Sequence, residues 1–408
     1  MNVAKNLLVD YKAVEPLNLY LRNYFRQNKK HGSKDRKLIS ALCYNYFRLG
    51  FAIKNIPVEE RILIGFFLCE NNPSGFLQAL KPEWNNLVNR SIKEKLAIGN
   101  WQLTINNIFP FSDELSDEID SEKFAISFLS QPKLFIRIRP GYDKAVLQKL
   151  QTSNISHENV SDDCIALPNS SKIDVVIDLD KEAVVQDYNS QRVGEFIKSA
   201  ISHGSYQEKS AINIWDCCAA SGGKSIMAYD INPLINLTVS DKRKSILQNL
   251  QQRFAKAGIQ NYTSFLADLS GVQVAFTAPP GRDDNIGLNN SIILNDKKFD
   301  LIIADVPCTS SGTWARTPEQ LFYFNQKQIK KYSNRQKQIV ENVMPYLKPE
   351  GYLLYVTCSV FKKENEEVVE FIKEKLKMNL VKMQLLKGYE IQADTMFAAL
   401  FIMPVKAA

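Results

Sequence analysis

The sequence predicts an α/β protein: a doubly wound, mostly parallel sheet, preceded by an all-α region and a small α+β region. Three observations predict it. From residue 186 onward, short apolar runs alternate with longer amphipathic ones, the pattern of repeated βα units. Those apolar runs stop at acids or cysteines, as strands of an open sheet do where ligands bind beyond their carboxyl ends. Roughly the first hundred residues show only helical periodicity.

The helical region comes first. Leu17, Leu19, Tyr20, Leu21, Tyr24 and Phe25 recur at helix spacing, as do Ile39, Leu42, Cys43, Tyr46, Phe47 and Leu49. His31-Gly32-Ser33 separates the two helices, with Ser33 expected to cap the second. Arg22, Arg26, Lys29, Lys30, Lys34, Arg36, Lys37, Arg48 and Lys54 face almost no acid except Asp35. The plainer reading is a solvated face; the sharper one is a phosphate-binding face. Near Pro132 the texture changes. Residues 133–139 alternate like a strand, 144–150 read as a short helix, and 164–167 and 175–178 as further strands. Arg137 and Arg139, two apart, share one face of the first strand. Further on, strands are expected at 212–217, 237–241, 263–268, 300–305, 352–357 and 397–403. Helices are expected at 224–229, 242–257, 326–347 and 365–377. The connection 270–297, with Ala278-Pro-Pro-Gly-Arg-Asp-Asp, is long enough to be a functional surface loop or hairpin. Domain limits are expected at 1–125, 126–185 and 186–408; a chain of 408 residues exceeds one typical domain.

Composition narrows the classes. The apolar fraction of 45% and charged fraction of 23% are those of a globular protein, and the net charge of +7 permits a polyanionic partner without demanding one. Seven scattered cysteines with no C-x-x-C pair, beside three histidines, argue against a zinc site and a disulfide framework. No metal is expected. The N-terminus shows no signal-peptide core, and the apolar stretch 62–69 is too short to span a bilayer. A reduced cytoplasmic protein without membrane contact, acting as a monomer, is the expectation.

Three segments carry the chemistry. Asp216-Cys217-Cys218-Ala219-Ala220-Ser221-Gly222-Gly223-Lys224 follows an apolar run and opens a helix. Its small residues let a ligand approach the backbone, and the helix N-terminus offers free N–H groups. It lacks the G-x-G-x-x-G of dinucleotide binders, and Cys218 stands where a P-loop needs its first glycine. Asp241 and Asp268 end the next strands, placed to take ribose hydroxyls and an adenine amino group; each alone reads equally as a cap or turn residue. Asp305-Val306-Pro307-Cys308 and Thr357-Cys358-Ser359 put one thiol at each of two further strand tips, with Asp305 beside them. Together the segments read as a cofactor-dependent enzyme with a cysteine nucleophile. The residues alone leave open which thiol attacks. Cys43, Cys69 and Cys164 read as core residues, and Cys217 and Cys218 as packing near the cofactor.

These motifs resemble those of the RNA (cytosine-5) methyltransferases of the Fmu/RsmB/NSUN type. That family carries Asp-x-Cys-Ala-Ala-Pro-Gly-Gly-Lys, Asp-Ala-Pro-Cys and Thr-Cys-Ser. Val185-Gln186-Asp187 with Ser190-Gln191, and Gly312 through Arg316-Thr317-Pro318-Glu319, also resemble family segments. Residues 34–48 resemble a NusB-like helical domain. Departures are Ser221 for proline, Val306 for alanine, Thr309-Ser310-Ser311, and the 270–297 connection.

The resemblance implies a Rossmann-like S-adenosylmethionine-dependent methyltransferase domain, preceded by a NusB-like RNA-binding domain and the small α+β domain. Cys358 would be the nucleophile, Cys308 would assist release, and Asp305 would act on the base. Cofactor binding would fall to Cys218, Ala219, Ala220, Ser221, Gly222, Gly223, Lys224, Asp241, Arg243, Asp268 and Asp305. Arg316, Arg137 and Arg139 are candidates for holding RNA phosphates. The expected substrate is RNA, ribosomal and of the 16S class, with its target single-stranded or looped so that the base can leave the stack. Two other readings are a non-catalytic RNA-binding scaffold and an RNA amino-group methyltransferase. The latter group usually shows Asn/Asp-Pro-Pro-aromatic where this chain has Val306-Pro307-Cys308. A nicotinamide oxidoreductase is weaker, because the dinucleotide glycines are missing.

Overall fold

The computed structural model describes residues 1–99, 101, 103–203, 211–271, 275–277 (backbone only), 294 and 297–405. The chain divides into two compact units. The first comprises Met1–Pro132, Ser311–Gln326 and Tyr389–Gln392; the second comprises Lys133–Ser310, Lys327–Gly388 and Ala393–Ala408.

The first unit is helical. Its larger helices are Asn2–Asp10, Leu17–Gln27, Ser33–Arg48 and Val58–Cys69. Ile39, Leu42, Cys43 and Phe47 turn inward along Ser33–Arg48, the apolar stripe that the sequence showed. Ser33 is the first helical residue rather than its cap. The Asp35 side chain instead accepts from the Gly32 N–H at 3.2 Å. Segment Ser311–Gln326 is built into this unit: Phe322 and Tyr323 pack edge-on or tilted against Phe47. Arg48, fully buried, donates to the carbonyls of Phe128, Ser130 and Ala315, each at 2.9 Å. Those charge-assisted bonds compensate its burial.

The second unit holds two sheets. A four-stranded antiparallel sheet contains β1 (Leu134–Ile138), β2 (Glu158–Asn159), β3 (Cys164–Leu167) and β4 (Ala183–Val185), in the order β2-β3-β1-β4. The strand expected at 175–178 is absent; a 3₁₀ turn covers Ile173–Val175, and β4 supplies the pairing eight residues later. Val175 is exposed while Ile173 and Ile177 are buried in the core beneath this sheet, so the run enters that core as a turn rather than as a paired strand. This sheet packs in the same unit as the larger one, whereas the sequence set a boundary at 185.

The larger sheet contains β5 (Asn213–Asp216), β6 (Asn236–Asp241), β7 (Tyr262–Asp268), β8 (Ala275–Thr277), β9 (Phe299–Asp305), β10 (Leu347–Thr357), β11 (Asn379–Leu386) and β12 (Met396–Ile402). Their order is β11-β12-β10-β9-β5-β6-β7-β8. The five strands from β10 to β7 are parallel, and β8, β11 and β12 pair antiparallel. Phe299 to Ala304 are all buried, as a central parallel strand covered on both faces must be. Each such aliphatic side chain stabilises by roughly 1.5–3 kcal/mol. Helix Lys244–Ala257 shows how one face covers the sheet. Leu247, Leu250, Phe254 and Ala257 recur at three- and four-residue steps, and Gly258 at φ +76° ends it in the left-handed conformation. The chain runs β5 to β6 to β7 on one side, then returns to β9 on the other side of β5. The crevice for a ligand therefore lies above the ends of β5 and β9.

Most of the 270–297 connection falls outside the described residues; Ala275–Thr277 within it forms β8 beside β7.

Candidate active site at the strand tips

The ends of β5, β6, β7, β9 and β10 bring the sequence motifs together. One cavity of about 380 Å³ is lined by Cys218, Ala220, Asp241, Arg243, Asp268, Asp305, Cys308 and Cys358, among others. Val306, Pro307, Leu269 and Ile339 give it apolar walls. A mostly apolar cleft with a few convergent polar groups is the ordinary form of a small-molecule site.

The turn after β5 is shaped by its small residues. Ala220 lies at φ +47° and Gly222 at φ +83°. A Cβ on Gly222 would come within 2.7 Å of Phe254. Ala219 N–H donates to the Ser240 carbonyl at 2.9 Å, pinning the turn to β6. Ser221, where the family has proline, accepts from Arg253 through its carbonyl and hydroxyl oxygens at 2.8 and 3.0 Å. That contact fixes the turn in another way. Asp241 is buried and accepts from Ala220 N–H at 3.2 Å. Arg243 donates to both its carboxylate oxygens, at 2.9 and 3.0 Å. Arg243 therefore acts on Asp241, by holding its carboxylate in place. Asp268 accepts from the N–H and hydroxyl of Ser270 and stands exposed at the rim.

The reactive end lies over β9 and β10. The Cys308 and Cys358 sulfurs are 3.3 Å apart, in the loops that follow the neighbouring strands β9 and β10. Cys308 is 8% exposed, while Cys358 is half-buried. Hydrogen bonding to Cys358 and then burial push the Cys308 pKa well up. Lys224, the last residue of the glycine turn motif, reaches Asp305 at 2.7 Å. Burial opposes its charge, but Asp305, Asp216 and Cys358 outweigh that and raise its pKa. Asp216 below them is fully buried with Oδ2 bonded to Ser225 at 2.6 Å. Burial raises its pKa to about 7. The sequence grouped Lys224 with the cofactor turn; the structure adds its pairing with Asp305.

Arg137 and Arg139 need correction as phosphate contacts. Arg137 lies in β1 and Arg139 just past its end, and both are internal: the two are 4% and 8% exposed. Both bind the buried Asp230 carboxylate, at 2.8 and 2.7 Å. Alternation put the two on one side, as their common partner shows; it carries no information about what that side meets. Arg316 is half-buried on the segment built into the helical unit. The sequence reading passed over Glu364 entirely. It lies in Lys362-Lys363-Glu364-Asn365, which reads as solvent-facing, yet it is fully buried between the two cysteine loops.

Residues 205–407 match the family described as 16S rRNA methyltransferase RsmB/F. Over these residues the chain is similar to that family. Among curated relatives, the chain is 24% identical over 380 residues to the "Probable ribosomal RNA small subunit methyltransferase B" of Coxiella burnetii, covering 83% of this chain and 82% of that one. It is 28% identical over 156 residues to "Ribosomal RNA small subunit methyltransferase B" of Shewanella oneidensis, covering 38% of this chain and 32% of that one. Among solved structures, PH0851 superposes with a TM-score of 0.67 at 16% identity, covering 98% of this chain and 97% of that one. NSun6 from Pyrococcus horikoshii with SFG superposes with a TM-score of 0.56 at 13% identity, covering 74% and 97%. The fold is thus the Rossmann-like methyltransferase fold. Among the described residues no helix is long and apolar enough to cross a membrane.

Proposed function

We propose that this chain, similar to the RsmB/F family, methylates carbon 5 of a cytosine in small-subunit ribosomal RNA, with S-adenosylmethionine as donor and Cys358 as nucleophile. The observation that carries this reading is the pair of thiols 3.3 Å apart beside the Lys224–Asp305 pair, in one cavity with Asp241 and Asp268. The residues present fit the donor. Asp241 and Asp268 are acceptors for its hydroxyl and amino groups, the Ala219–Lys224 turn admits close backbone approach, and apolar walls suit a purine. When bound, the donor supplies an electrophilic methyl group.

Carbon 5 of cytosine is a poor nucleophile, and the protein's task is to make it a better one. The Cys358 thiolate adds to carbon 6, forming a carbon–sulfur bond and giving carbon 5 enamine character. Asp305, with the Lys224 ammonium bonded behind it, shares a proton with ring nitrogen 3 and stabilises the adduct. After methylation, water takes the proton from carbon 5 and the Cys358–carbon bond breaks, its electron pair returning to sulfur. Cys308, kept a thiol by its hydrogen bond with Cys358 and by burial, would assist that release. The cavity is too confined for a base within a helix, so the target enters unstacked. The helical unit, NusB-like in its 34–48 segment, would hold flanking phosphates through Arg22, Arg26, Lys29, Lys30, Lys34 and Lys37.

Nucleoside mass spectrometry of small-subunit RNA from cells with and without the gene tests this. Loss of one 5-methylcytidine is expected. Loss of an N-methylated nucleoside instead would favour the amino-group reading, and no change at all would favour a scaffold.

A further inference from the structure

Glu364 is a buried carboxylate with no cation among its hydrogen-bonding partners in the described residues. It ends a 3₁₀ turn, Lys362–Glu364, shortly after Cys358. Its Oε1 accepts from Thr309 N–H at 2.9 Å and from the Gln336 amide at 3.2 Å. Its Oε2 accepts from the Thr309 hydroxyl at 2.5 Å and from the Ser359 hydroxyl. Thr309 directly follows Cys308, and Ser359 directly follows Cys358. The other flanks are tied to the same cluster. Gln336 also donates to the carbonyl of Pro307 at 3.1 Å. Asn365 accepts from the Thr357 hydroxyl at 2.6 Å and donates to the Ser359 carbonyl at 3.0 Å. Each cysteine is thus held on both sides by Glu364 and its two neighbours Gln336 and Asn365.

A carboxylate buried without a counter-charge is expensive unless its acceptor sites are filled, and here each oxygen takes two donors. An apolar side chain could fill the same space but could not join two loops. We propose that Glu364 is a positioning residue: one carboxylate, bound to both cysteine loops, sets the separation of Cys308 and Cys358. The proposal rests on the two-thiol reading for its catalytic meaning, but the separation itself is measurable without RNA.

The experiment uses the full-length protein, its Glu364→Gln variant, and the milder Thr309→Val and Ser359→Ala variants. Glutamine keeps the shape but turns one acceptor into a donor that faces other donors. Diamide oxidises a pair of thiols to a disulfide, losing two protons and two electrons to the reagent, which becomes the hydrazine. The two sulfurs must close to about 2.05 Å, so the rate reports how the loops hold them. The Cys308–Cys358 disulfide, mapped by peptide mass spectrometry, should form at least tenfold more slowly in Glu364→Gln. A smaller slowing is expected in Thr309→Val and Ser359→Ala. Single-turnover methylation should fall about 100-fold in Glu364→Gln, the scale of a small misplacement, with the KM for RNA within twofold. Unchanged disulfide and methylation rates in the folded variants would overturn the proposal. If Glu364→Gln does not fold, the two hydroxyl variants decide in the same way. If the native protein methylates no RNA, the proposed function fails, while the disulfide rates still judge the positioning role.

Discussion

Cys358 and Cys308 lie just past two neighbouring strand tips but differ in environment. Cys308 is nearly enclosed and its pKa is pushed up, first by Cys358 and then by burial, with Glu364 adding to the effect. Cys358 is the more accessible sulfur. An accessible thiol suits attack, and an enclosed one that stays protonated suits a later proton transfer. Cys358→Ala should abolish methyl transfer and give no adduct. Cys308→Ala should still attack and methylate, then stall as a protein–RNA complex that survives denaturing electrophoresis. Adducts in Cys358→Ala and none in Cys308→Ala would exchange the roles.

Asp216 makes a second residue-scale prediction. Its folded pKa of about 7 lies above the ordinary carboxylate value of 3.8, so its contribution is most favourable below pH 4 and is lost as pH rises through 7. Asp216→Asn should therefore gain stability relative to the native protein between pH 4 and 8, by at most about 4 kcal/mol. Urea unfolding across that range measures it. A difference that does not grow with pH would show that Asp216 is not a costly buried charge.

At the scale of elements, the turn after β5 depends on one backbone conformation. Gly222→Ala must place a Cβ at φ +83° and 2.7 Å from Phe254. A cost of about 1–3 kcal/mol in urea unfolding is expected, with weakened donor binding by calorimetry. The contact between the four-stranded sheet and helix Gly223–Ile231 rests on Asp230. Asp230→Ala leaves two buried guanidinium groups without their acid, costing roughly 3–5 kcal/mol. Stability within 1 kcal/mol of native would mean that water reaches both arginines. How much of this was legible varies by element. Strands β5, β9 and β10 were readable because each buries an apolar run that ends in a polar residue, and β12 because its apolar run is unbroken. β11 was not, since Lys382 and its neighbours are largely exposed and carry no core signal. The strand tips, and with them the cavity, followed from the polar stops. The Asp230 cluster and Glu364 did not, because each depends on partners distant in sequence that no local pattern specifies.

For the whole molecule, RNA affinity should follow charge. Arg22, Arg26, Lys29, Lys30, Lys34 and Lys37 are exposed, with Asp35 the only acid in that stretch. Reversing them to glutamate should weaken RNA binding and flatten its salt dependence. The expected change is about 0.7 in the slope of log K against log salt for each lost contact. Fluorescence anisotropy at several salt concentrations measures this, and an unaltered slope would assign the face to bulk solvent. Charge reversal is a better probe than removing residues 1–120. That deletion would strip the helical packing from Ser311–Gln326, exposing Trp314 and Leu321, both 1% exposed or less.

The same interleaving bears on how the protein is made. Domains generally fold in order as the chain emerges from the ribosome. Here the N-terminal unit cannot close on its own schedule. Phe47 must wait for Phe322 and Tyr323, and Arg48 for the Ala315 carbonyl; Phe124 must wait longer still, for Tyr389. Residue 392 must be translated before the first unit has all its parts. During that interval its aromatic surface is uncovered, so nascent chains arrested before residue 311 should bind chaperones that recognise apolar surface, and chains released after residue 392 should not.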